Sequence, residues 1–408
     1  MENVLAILLA GGLGERLYPL TRDTAKPGVP FGGVYRIIDF TLSNCINSDV
    51  RKILILTQFK SLELHRHIRH GWNILSPELG EYIEIIPPMK RASGSDWYLG
   101  TADAVYQNIA SIESERPDQI LILSADHIYK MNYKHMIDVH RSAQAGVTLA
   151  TTQVAPEEAS RFGVVEIDAD SRIRGFEEKP VNGSATRSAF NPEMVSVSMG
   201  IYAFDTRVLL EELKWDAEDA TSAHDFGRNV IPACLARGRH IAAYDFVDMN
   251  AKKARYWRDV GTIDSFFEAN MDLCAVTPEF NLYDGKWPVH VRTMQQPPAK
   301  FVFADEGVRM GVAIDSIVSA GCIISGGRVL HSVLSPGVRV HSYSEIERSI
   351  LMPNVSVGRY SRVRRAILDH GVNLPKNSVV GFDAEADRAK GYLISEGGVT
   401  VVPGSGQA

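Results

Sequence analysis

The chain has 408 residues, of which 45% are hydrophobic, so it can bury a large core, and its length favours two domains. A formal net charge of −6 argues against a nucleic-acid-binding protein that works by bulk electrostatics. Four cysteines without paired or metal-type spacing indicate buried thiols in a reducing compartment. No apolar run has the length of a membrane span and no leader pattern is found, so we expect a cytoplasmic protein with neither a membrane nor a nucleic-acid partner.

The first predicted element is a buried strand at Val4 to Leu9, which runs into a turn rich in glycine, at Gly11, Gly12 and Gly14. Glycines let backbone N–H groups approach a ligand closely and adopt positive φ. The turn does not fit the Walker A pattern, because no Lys-Ser or Lys-Thr pair follows it. It does not fit the dinucleotide fingerprint either, because Leu17 stands where the third glycine belongs.

Two cations follow this turn, Arg16 and Lys26, and no apolar pattern explains them. Long cations behind a group of backbone N–H donors are suited to binding a polyphosphate. A purely structural turn between a strand and a helix is the alternative. The cations favour phosphate binding.

Strands and helices then alternate as far as about residue 150. Strands are predicted at 52–57, 82–86, 119–127 and 147–153, and helices at 61–72, 101–113 and 132–145. This alternation predicts a parallel, three-layer α/β sheet. The three histidines of the helix at 61–72 are expected on a solvated basic face rather than at a metal site.

The next part of the chain is richer in strands and indicates a mixed extension of the sheet. Strands are predicted at 162–167, 173–177, 195–204 and 241–246, and helices at 206–213, 225–236 and 263–274. A stretch rich in turn residues follows. We therefore predict a first domain at 1–276, a linker at 277–310 and a second domain at 311–408.

The second domain contains an internal repeat and no helical pattern. Segments that begin at Ser316, Ser332, Ser349 and Ala366 start 16, 17 and 17 residues apart. Short apolar segments with Gly, Asn or Pro at the corners are typical of a triangular solenoid, the parallel β-helix. The alternative, an antiparallel sandwich, would not need so constant a period.

Two carboxylates are candidate metal ligands. Asp126 follows a predicted parallel strand, at the edge where open α/β sheets bind ligands, and Asp259 precedes a Gly-Thr turn. Mg²⁺ commonly takes one or two protein carboxylates together with substrate phosphates. The alternative for each aspartate is that it only caps the next element.

Glu178 and Lys179 lie where a predicted strand ends in a Lys-Pro turn. Lys179 suits a second phosphate and Glu178 suits sugar hydroxyls, with a solvated turn as the alternative. No Ser-His-Asp or Cys-His arrangement emerges from the sequence. That absence fits a phosphate nucleophile, which is already ionised and needs no general base.

Six stretches in this order resemble those of the bacterial ADP-glucose pyrophosphorylases (glucose-1-phosphate adenylyltransferases), a family of sugar nucleotidyltransferases. The stretches are 11–17 with 26–27, 97–104, 124–129, 176–180, 198–202 and 256–262, and 31–33 and 36–40 also fit. The resemblance implies an α/β fold, with a Rossmann-like mixed-sheet nucleotidyltransferase domain followed by a left-handed parallel β-helix. It also implies a homotetramer that uses Mg²⁺ to make ADP-glucose and pyrophosphate from ATP and α-D-glucose 1-phosphate, for glycogen synthesis.

The resemblance also implies a role for each matching residue. Arg16 and Lys26 hold the triphosphate, and Asp126 and Asp259 hold Mg²⁺, while Lys179 binds the phosphate of glucose 1-phosphate. The backbone of Gly11 and Gly12 approaches the nucleotide, and the sugar is surrounded by Tyr98, Gly163, Glu178 and Ser198.

Regulation by anionic metabolites is a further implication, with Arg36, Arg359 and Arg362 as candidate effector residues. Relatives carry basic residues where Leu13 and Asp23 stand here, and Asp23 would repel a sugar bisphosphate. The alternative for the arginines of the second domain is a solvated solenoid surface.

Three other functions are considered. The same chemistry with another base or sugar, such as dTTP or mannose 1-phosphate, is not separable by residue pattern. A non-catalytic regulatory subunit would usually lack one of the catalytic carboxylates or cations, and all of them are present. An acyltransferase would need a catalytic histidine in a longer solenoid.

Overall fold

The computed structural model describes residues 3–89, 97–180, 188, 191–248, 253–292, 295–305 and 308–404. The strands up to residue 259 are β1 Val4–Ala10, β2 Pro30–Phe31, β3 Tyr35–Arg36, β4 Lys52–Thr57, β5 Tyr82–Ile86, β6 Gln119–Ser124, β7 His127–Tyr129, β8 Val147–Val154, β9 Gly163–Ile167, β10 Ile173–Glu178, β11 Val195–Asp205, β12 Ile241–Asp245, β13 Val247–Asp248, β14 Lys253–Ala254 and β15 Trp257–Asp259. The α-helices are α1 Ile37–Asn47, α2 Leu62–Gly71, α3 Thr101–Tyr106, α4 Ile109–Glu115, α5 Tyr133–Ser142, α6 Thr206–Glu218, α7 Ile231–Ala236, α8 Ile263–Asp272 and α9 Ala384–Ala389.

A mixed sheet of nine described strands forms the centre of the first domain, in the order β10-β9-β11-β6-β1-β4-β5, with β8 paired to β11 and β12 to β8. β1 lies between β4 and β6 and is parallel to both. It is buried on both faces, which explains its continuous apolar sequence. β11 is antiparallel to β6, so the sheet changes from parallel to mixed at this pair, as the sequence predicts.

The second domain is a triangular solenoid with three sheets of parallel strands. Its strands are β16 Lys300–Val302, β17 Ala304–Asp305, β18 Arg309–Met310, β19 Val312–Ile314, β20 Ile317–Val318, β21 Ile323–Ser325, β22 Arg328–Leu330, β23 Val333–Leu334, β24 Arg339–Val340, β25 Glu345–Glu347, β26 Ile350–Leu351, β27 Ser356–Val357, β28 Arg362–Arg364, β29 Ala366–Leu368, β30 Asn373–Leu374, β31 Val379–Val380, β32 Leu393–Ile394 and β33 Thr400–Val402. The sheets are β16-β21-β24-β27-β30, β19-β22-β25-β28-β31 and β20-β23-β26-β29-β33, and β32 adds to the third in the antiparallel sense. Successive partners such as Val333, Ile350 and Ile367 reproduce the repeat read from the sequence.

The boundaries at 276 and 310 remain a proposal. β16 lies inside the predicted linker, yet it pairs with β21 as a solenoid strand.

Some predicted elements differ from the structure. The helix predicted at 101–113 is divided into α3 and α4, and the helix predicted at 225–236 begins with a π-helical turn, Phe226–Val230. The expectation of no helix beyond residue 311 is wrong, because α9 forms where Asp383 caps it by accepting from the backbone N–H groups of Glu385 and Ala386. Six residues are too few to show an apolar period, so the sequence pattern misses α9.

The expected solvated face of the α2 histidines is also wrong in part. His67 is buried, and its Nε2 lies 2.6 Å from Oδ1 of the fully buried Asp39. The same Asp39 oxygen accepts a 2.8 Å hydrogen bond from Trp72 Nε1. A tertiary partner therefore draws this histidine into the core, which helical spacing alone does not reveal.

One apolar core is shared by the two domains. It joins Leu17, Ile128 and Val260 of the first domain to Ile367 and Val401 of the solenoid, all of them buried. Because Arg16 and Asp259 are the immediate neighbours of Leu17 and Val260, this core supports the segments that carry candidate site residues.

Truncation of Ile367 to Ala tests the shared core. We expect the variant to lose about 2–5 kcal/mol of stability, because a fully buried aliphatic side chain leaves a cavity. None of the five tryptophans lies in the solenoid, since four belong to the first domain, at 72, 97, 215 and 257, and the fifth, at 287, belongs to the predicted linker. Urea unfolding followed by tryptophan fluorescence should therefore show the loss although the substitution is in the solenoid.

The matched control is Val379→Ala, because Val379 is 43% exposed on the solenoid surface. We expect it to change stability by less than about 0.5 kcal/mol. An unchanged tryptophan transition in the Ile367 variant would contradict a core that supports both domains.

Candidate active site

The glycine-rich turn follows β1 at the carboxyl edge of the parallel strands. Gly14 has φ +64°, and a Cβ there would lie 3.0 Å from the Thr21 side chain and 3.1 Å from that of Lys26, so a larger residue would be strained. A Cβ at Gly12 would meet nothing within 4 Å. The backbone at Gly12 is therefore open to a ligand, while Gly14 packs against the segment that carries Lys26.

A cavity of about 780 Å³ opens over this turn. Seven of the predicted site residues line it: Gly11, Gly12, Arg16, Lys26, Tyr98, Asp126 and Glu178. Asp259 lines a neighbouring cavity of about 610 Å³ and contacts Lys26, so it lies between the two cavities. The structure thus gathers residues from distant parts of the chain around one space.

The centre of the site is the ammonium group of Lys26. Its Nζ donates to Oδ2 of Asp126 at 2.7 Å and to Oδ1 of Asp259 at 3.2 Å. Lys26 is only 6% exposed, although it begins a short 3₁₀ turn, Lys26–Gly28. One cation therefore holds together the two carboxylates that the sequence analysis assigns to a metal.

The pKa values reflect this pairing. Burial by itself would lower the pKa of Lys26, but Asp126 and Asp259 outweigh that effect and raise it above its usual value. Burial would likewise raise the pKa of Asp126, but Lys26, with smaller contributions from His127 and a hydrogen bond from Ser124, holds it well below its usual range. Both net pKa shifts favour the charged forms of Lys26 and Asp126.

The two carboxylates have further neighbours. Ser124 Oγ donates to Asp126, and His127 Nε2 lies 3.4 Å from Oδ1 of Asp126. Arg161 Nη2 lies 3.8 Å from Oδ2 of Asp259. The sequence analysis assigns no role to Ser124 or Arg161, because a serine at a strand end and an arginine in a short turn carry no pattern of their own.

The donor set fits a divalent cation. Asp126, His127 and Asp259 each offer a ligand atom, and these atoms lie within 4.8 Å of one another. The His127 Nδ1 atom is buried and has no hydrogen-bond partner among the described residues. Two carboxylates suit a hard cation that prefers oxygen and completes its shell with phosphate and water.

Arg16 lies on the glycine-turn side of this centre. It is exposed, in the 3₁₀ turn Glu15–Leu17. A Cβ at Gly261 would lie 2.9 Å from Arg16 Nη2 and 2.9 Å from Asp259 Oδ1. Gly261 therefore allows the guanidinium and the carboxylate to approach each other.

Glu178 and Lys179 lie at the end of β10. Lys179 is exposed, has φ +50° and pairs with Glu178 at 3.1 Å, whereas Glu178 is largely covered. Gly163 is the β9 partner of Glu178, and a Cβ there would lie 2.4 Å from Phe176 Cζ. The same Cβ would lie 2.8 Å from Glu178 Oε2, so glycine at 163 leaves room for both side chains.

Two more predicted sugar-site residues lie around this end of the cavity. Tyr98 lines it, and its hydroxyl accepts a 3.1 Å hydrogen bond from Asn108 Nδ2. Ser198 is buried behind the wall, and its Oγ accepts a 3.2 Å hydrogen bond from the backbone N–H of Gly200, which lines the cavity.

The structure adds Asp225 to the cavity wall. Thr101 Oγ1 donates to Oδ2 of Asp225 at 3.0 Å and accepts from the Phe226 N–H at 3.0 Å. A Cβ at Gly100 would lie 2.2 Å from the His224 carbonyl oxygen, so only glycine permits this approach. The sequence predicts a helix start near Thr101 and another near Asp225. It does not predict the contact between these two residues.

The candidate effector residues lie apart from this cavity. Arg36 stands at the N-cap position of α1, where its backbone N–H donates to Asp39 Oδ2 at 2.7 Å, and its Nη1 donates to the Gly28 carbonyl at 2.8 Å. Arg362 lies 3.8 Å from Glu345 and stacks on Phe382, and Arg359 is exposed at a solenoid corner. Their predicted role is untested by these contacts.

Comparison with known proteins agrees with this architecture. The nucleotidyl transferase family matches residues 5–276, and the GlmU-like C-terminal hexapeptide family matches residues 297–402. A glucose-1-phosphate adenylyltransferase of Koribacter versatilis is 57% identical over 98% of this chain and 95% of its own length. Proteins of the same name from Rhodopirellula baltica and Shewanella sp. (strain W3-18-1) are 50% and 49% identical over 98% of this chain and over 90% and 94% of their own lengths.

The chain belongs to the glucose-1-phosphate adenylyltransferase family. The predicted fold class, a Rossmann-like domain followed by a left-handed parallel β-helix, is confirmed. Nucleotidyltransferases of this family generally use a divalent metal ion, which agrees with the donor set at Asp126 and Asp259. Among the described helices, none is both long enough and apolar enough to cross a bilayer.

Replacement of Lys26 by Met tests the electrostatics of the site. The low pKa of Asp126 contributes stability above the ordinary carboxyl pKa of about 4, and this contribution is lost as the pH falls below it. We expect the variant to be about 2 kcal/mol less stable than the unmodified protein at pH 7. This difference in the free energy of unfolding should become smaller toward pH 4 and below. Urea unfolding across this pH range measures it.

Lys179→Met is the control, since the Lys179 side chain is exposed. Its ion pair with Glu178 should contribute no more than about 1 kcal/mol to stability. A gap for the Lys26 variant that stays constant from pH 7 to pH 3 would show that Lys26 does not set the charge state of Asp126.

Proposed function

We propose that this protein transfers AMP from ATP to α-D-glucose 1-phosphate in a Mg²⁺-dependent reaction, giving ADP-glucose and pyrophosphate for glycogen biosynthesis. The observation that carries the proposal is the Lys26 ammonium held between Asp126 and Asp259 beside an open glycine turn. The names of the relatives support this pair of substrates over dTTP or mannose 1-phosphate.

The nucleotide occupies the end of the cavity formed by the glycine turn. The backbone at Gly11 and Gly12 approaches it, and Arg16 and Lys26 bind the triphosphate. These cations stabilise the negative charge that builds on the departing pyrophosphate.

Asp126 and Asp259 would hold Mg²⁺. When bound, the ion would neutralise charge on the phosphate oxygens. Lys26 neutralises the same carboxylates in the free protein, so its ammonium is already positioned for a phosphate oxygen. Ser124, by donating to Asp126, fixes the orientation of that carboxylate.

The sugar phosphate occupies the other end of the cavity. Lys179 binds its phosphate as a point charge, and Glu178 accepts hydrogen bonds from sugar hydroxyls. The sugar ring is also surrounded by Tyr98, Ser198 and Gly163, and by Asp225, which the sequence analysis does not assign to the site. The attacking phosphate oxygen is already ionised, so the chain needs only to orient it in line with the bond that breaks.

We extend the proposal to a cytoplasmic homotetramer regulated by anionic metabolites at Arg36, Arg359 and Arg362. Arg359 is exposed, but Arg36 already donates to Gly28, and Arg362 already stacks on Phe382. An effector at those two would have to add to existing contacts. Flat responses to fructose 6-phosphate, fructose 1,6-bisphosphate and pyruvate would contradict this part.

A substrate survey tests the proposed reaction. Pyrophosphate release is measured with several nucleoside triphosphates and sugar 1-phosphates, with Mg²⁺ and with excess chelator. We expect release with ATP and glucose 1-phosphate, and loss of that release on chelation. Efficient use of another base or sugar instead, or a rate unaffected by chelation, would overturn the assignment.

Exchange of Lys179 for Ala separates binding from chemistry. We expect KM for glucose 1-phosphate to rise by about 10-fold to 100-fold with kcat little changed, because the sugar phosphate carries its full negative charge before the reaction, so Lys179 binds the ground state at least as strongly as the transition state. The contrasting variant is Asp126→Asn, which should lower kcat by about 100-fold or more because it removes a ligand of the reacting centre. Initial rates over both substrate concentrations distinguish the two effects.

If Lys179→Ala lowers kcat as strongly as Asp126→Asn and leaves KM unchanged, Lys179 belongs to the reacting centre rather than to sugar phosphate binding. Near-normal kinetics in both variants would argue against this cavity as the active site.

A further inference from the structure

The first turn of α8 is fastened to the C-terminal part of the chain through Asp264. Ser395 Oγ donates to Oδ1 of Asp264, and the backbone N–H of Gly397 donates to Oδ2 at 3.1 Å. Ser395 Oγ also accepts from the backbone N–H of Val399 at 2.9 Å. The turn at 395–399 therefore closes around this one carboxylate.

The contact between Gly397 and the Asp264 carboxylate has no room for a side chain at position 397. A Cβ at Gly397 would lie 2.5 Å from Asp264 Oδ1. Any larger residue at 397 would push the Asp264 carboxylate away from the turn. The contact therefore fixes a position as well as contributing stability.

Three residues separate α8 from the candidate metal ligand Asp259. Val260 is fully buried in the core shared by the domains, and Gly261 lies against Arg16 and Asp259. Thr262 caps the helix, with the Ser265 N–H donating to Thr262 Oγ1 at 3.2 Å. Asp264 is five residues from Asp259, and the segment between them is held by the burial of Val260 and the Thr262 cap.

Asp259 is held from two sides. On its N-terminal side, β15 pairs with β7, which places Asp259 opposite His127. On its C-terminal side, its position depends on where α8 begins. The Asp264 contact is the polar attachment of that helix start to the solenoid domain.

We propose that Asp264 is a positioning residue for adenylyl transfer. By fastening α8 to the turn at 395–399, it sets the place of Asp259 relative to Lys26 and Asp126. This inference rests on the proposed function.

Simple attachment of the domains is the competing explanation, and Glu268 provides the control for it. Glu268 lies one turn further along α8 and pairs with Arg365 at 3.3 Å and Arg348 at 3.6 Å across the same interface. It is exposed and further from Asp259 along the chain. A role limited to attachment would make Asp264 and Glu268 behave alike.

The experiment compares Asp264→Ala, Ser395→Ala, Gly397→Ala and Glu268→Ala with the unmodified full-length protein. Two quantities are measured: the kinetics of pyrophosphate release, and the binding of Mn²⁺ in the presence of ATP alone, followed by electron paramagnetic resonance. Thermal unfolding identifies any variant that does not fold. Ser395→Ala and Gly397→Ala disturb the contact while keeping the carboxylate, so they carry the test if Asp264→Ala does not fold.

We expect Asp264→Ala to lower kcat by about 10-fold to 100-fold and to weaken Mn²⁺ binding, because a displacement of about 1 Å at a reacting centre has effects of this size. Ser395→Ala and Gly397→Ala should follow in the same direction, with Glu268→Ala within about 2-fold of the unmodified protein. Equal kcat and equal Mn²⁺ binding in the Asp264, Ser395 and Glu268 variants would overturn the positioning role. An unmodified protein that binds Mn²⁺ with ATP but forms no ADP-glucose would contradict the proposed function, and the binding comparison would still test Asp264.

Discussion

The arrangement of the site depends on one buried cation between two carboxylates. Lys26, Asp126 and Asp259 come from three separate segments, and their meeting requires the 3₁₀ turn Lys26–Gly28, the end of β6 and the end of β15 to converge. Without the ammonium, two partly covered carboxylates would face each other, and burial would drive at least one of them to take up a proton. Lys26 thus keeps Asp126 charged in the free protein, in the form that a metal ion requires.

The solenoid takes part in this arrangement although none of its described residues lines the cavity. Its third sheet packs into the same apolar core as Leu17 and Val260, the neighbours of Arg16 and Asp259. The C-terminal segment also reaches the first domain on two sides, since Arg22 Nη2 donates to the Gly404 carbonyl at 2.9 Å and Asp264 accepts from Gly397. A change in the solenoid therefore has a direct physical route to the segments that carry the candidate site residues.

The sequence predicts those features that local rules determine. The carboxyl edge of a parallel sheet locates Gly11 and Asp126, and a constant period identifies the solenoid. Features that depend on tertiary contacts are missed: the burial of His67 against Asp39, the meeting of Thr101 with Asp225, and the position of Arg161 beside Asp259. Each needs a partner distant in the chain, and a single sequence carries no signal for such pairs. The substrate pair follows from the family resemblance, since no residue pattern specifies adenine or glucose.

The most direct measurement is a crystal structure of this protein with Mg²⁺ and a non-hydrolysable ATP analogue. The account predicts phosphate groups beside the Gly11–Gly12 backbone, the metal ion on oxygens of both Asp126 and Asp259, and Lys26 Nζ moved from the carboxylates to a phosphate oxygen. A nucleotide bound elsewhere, or Lys26 still paired with both carboxylates and no ion beside them, would contradict it.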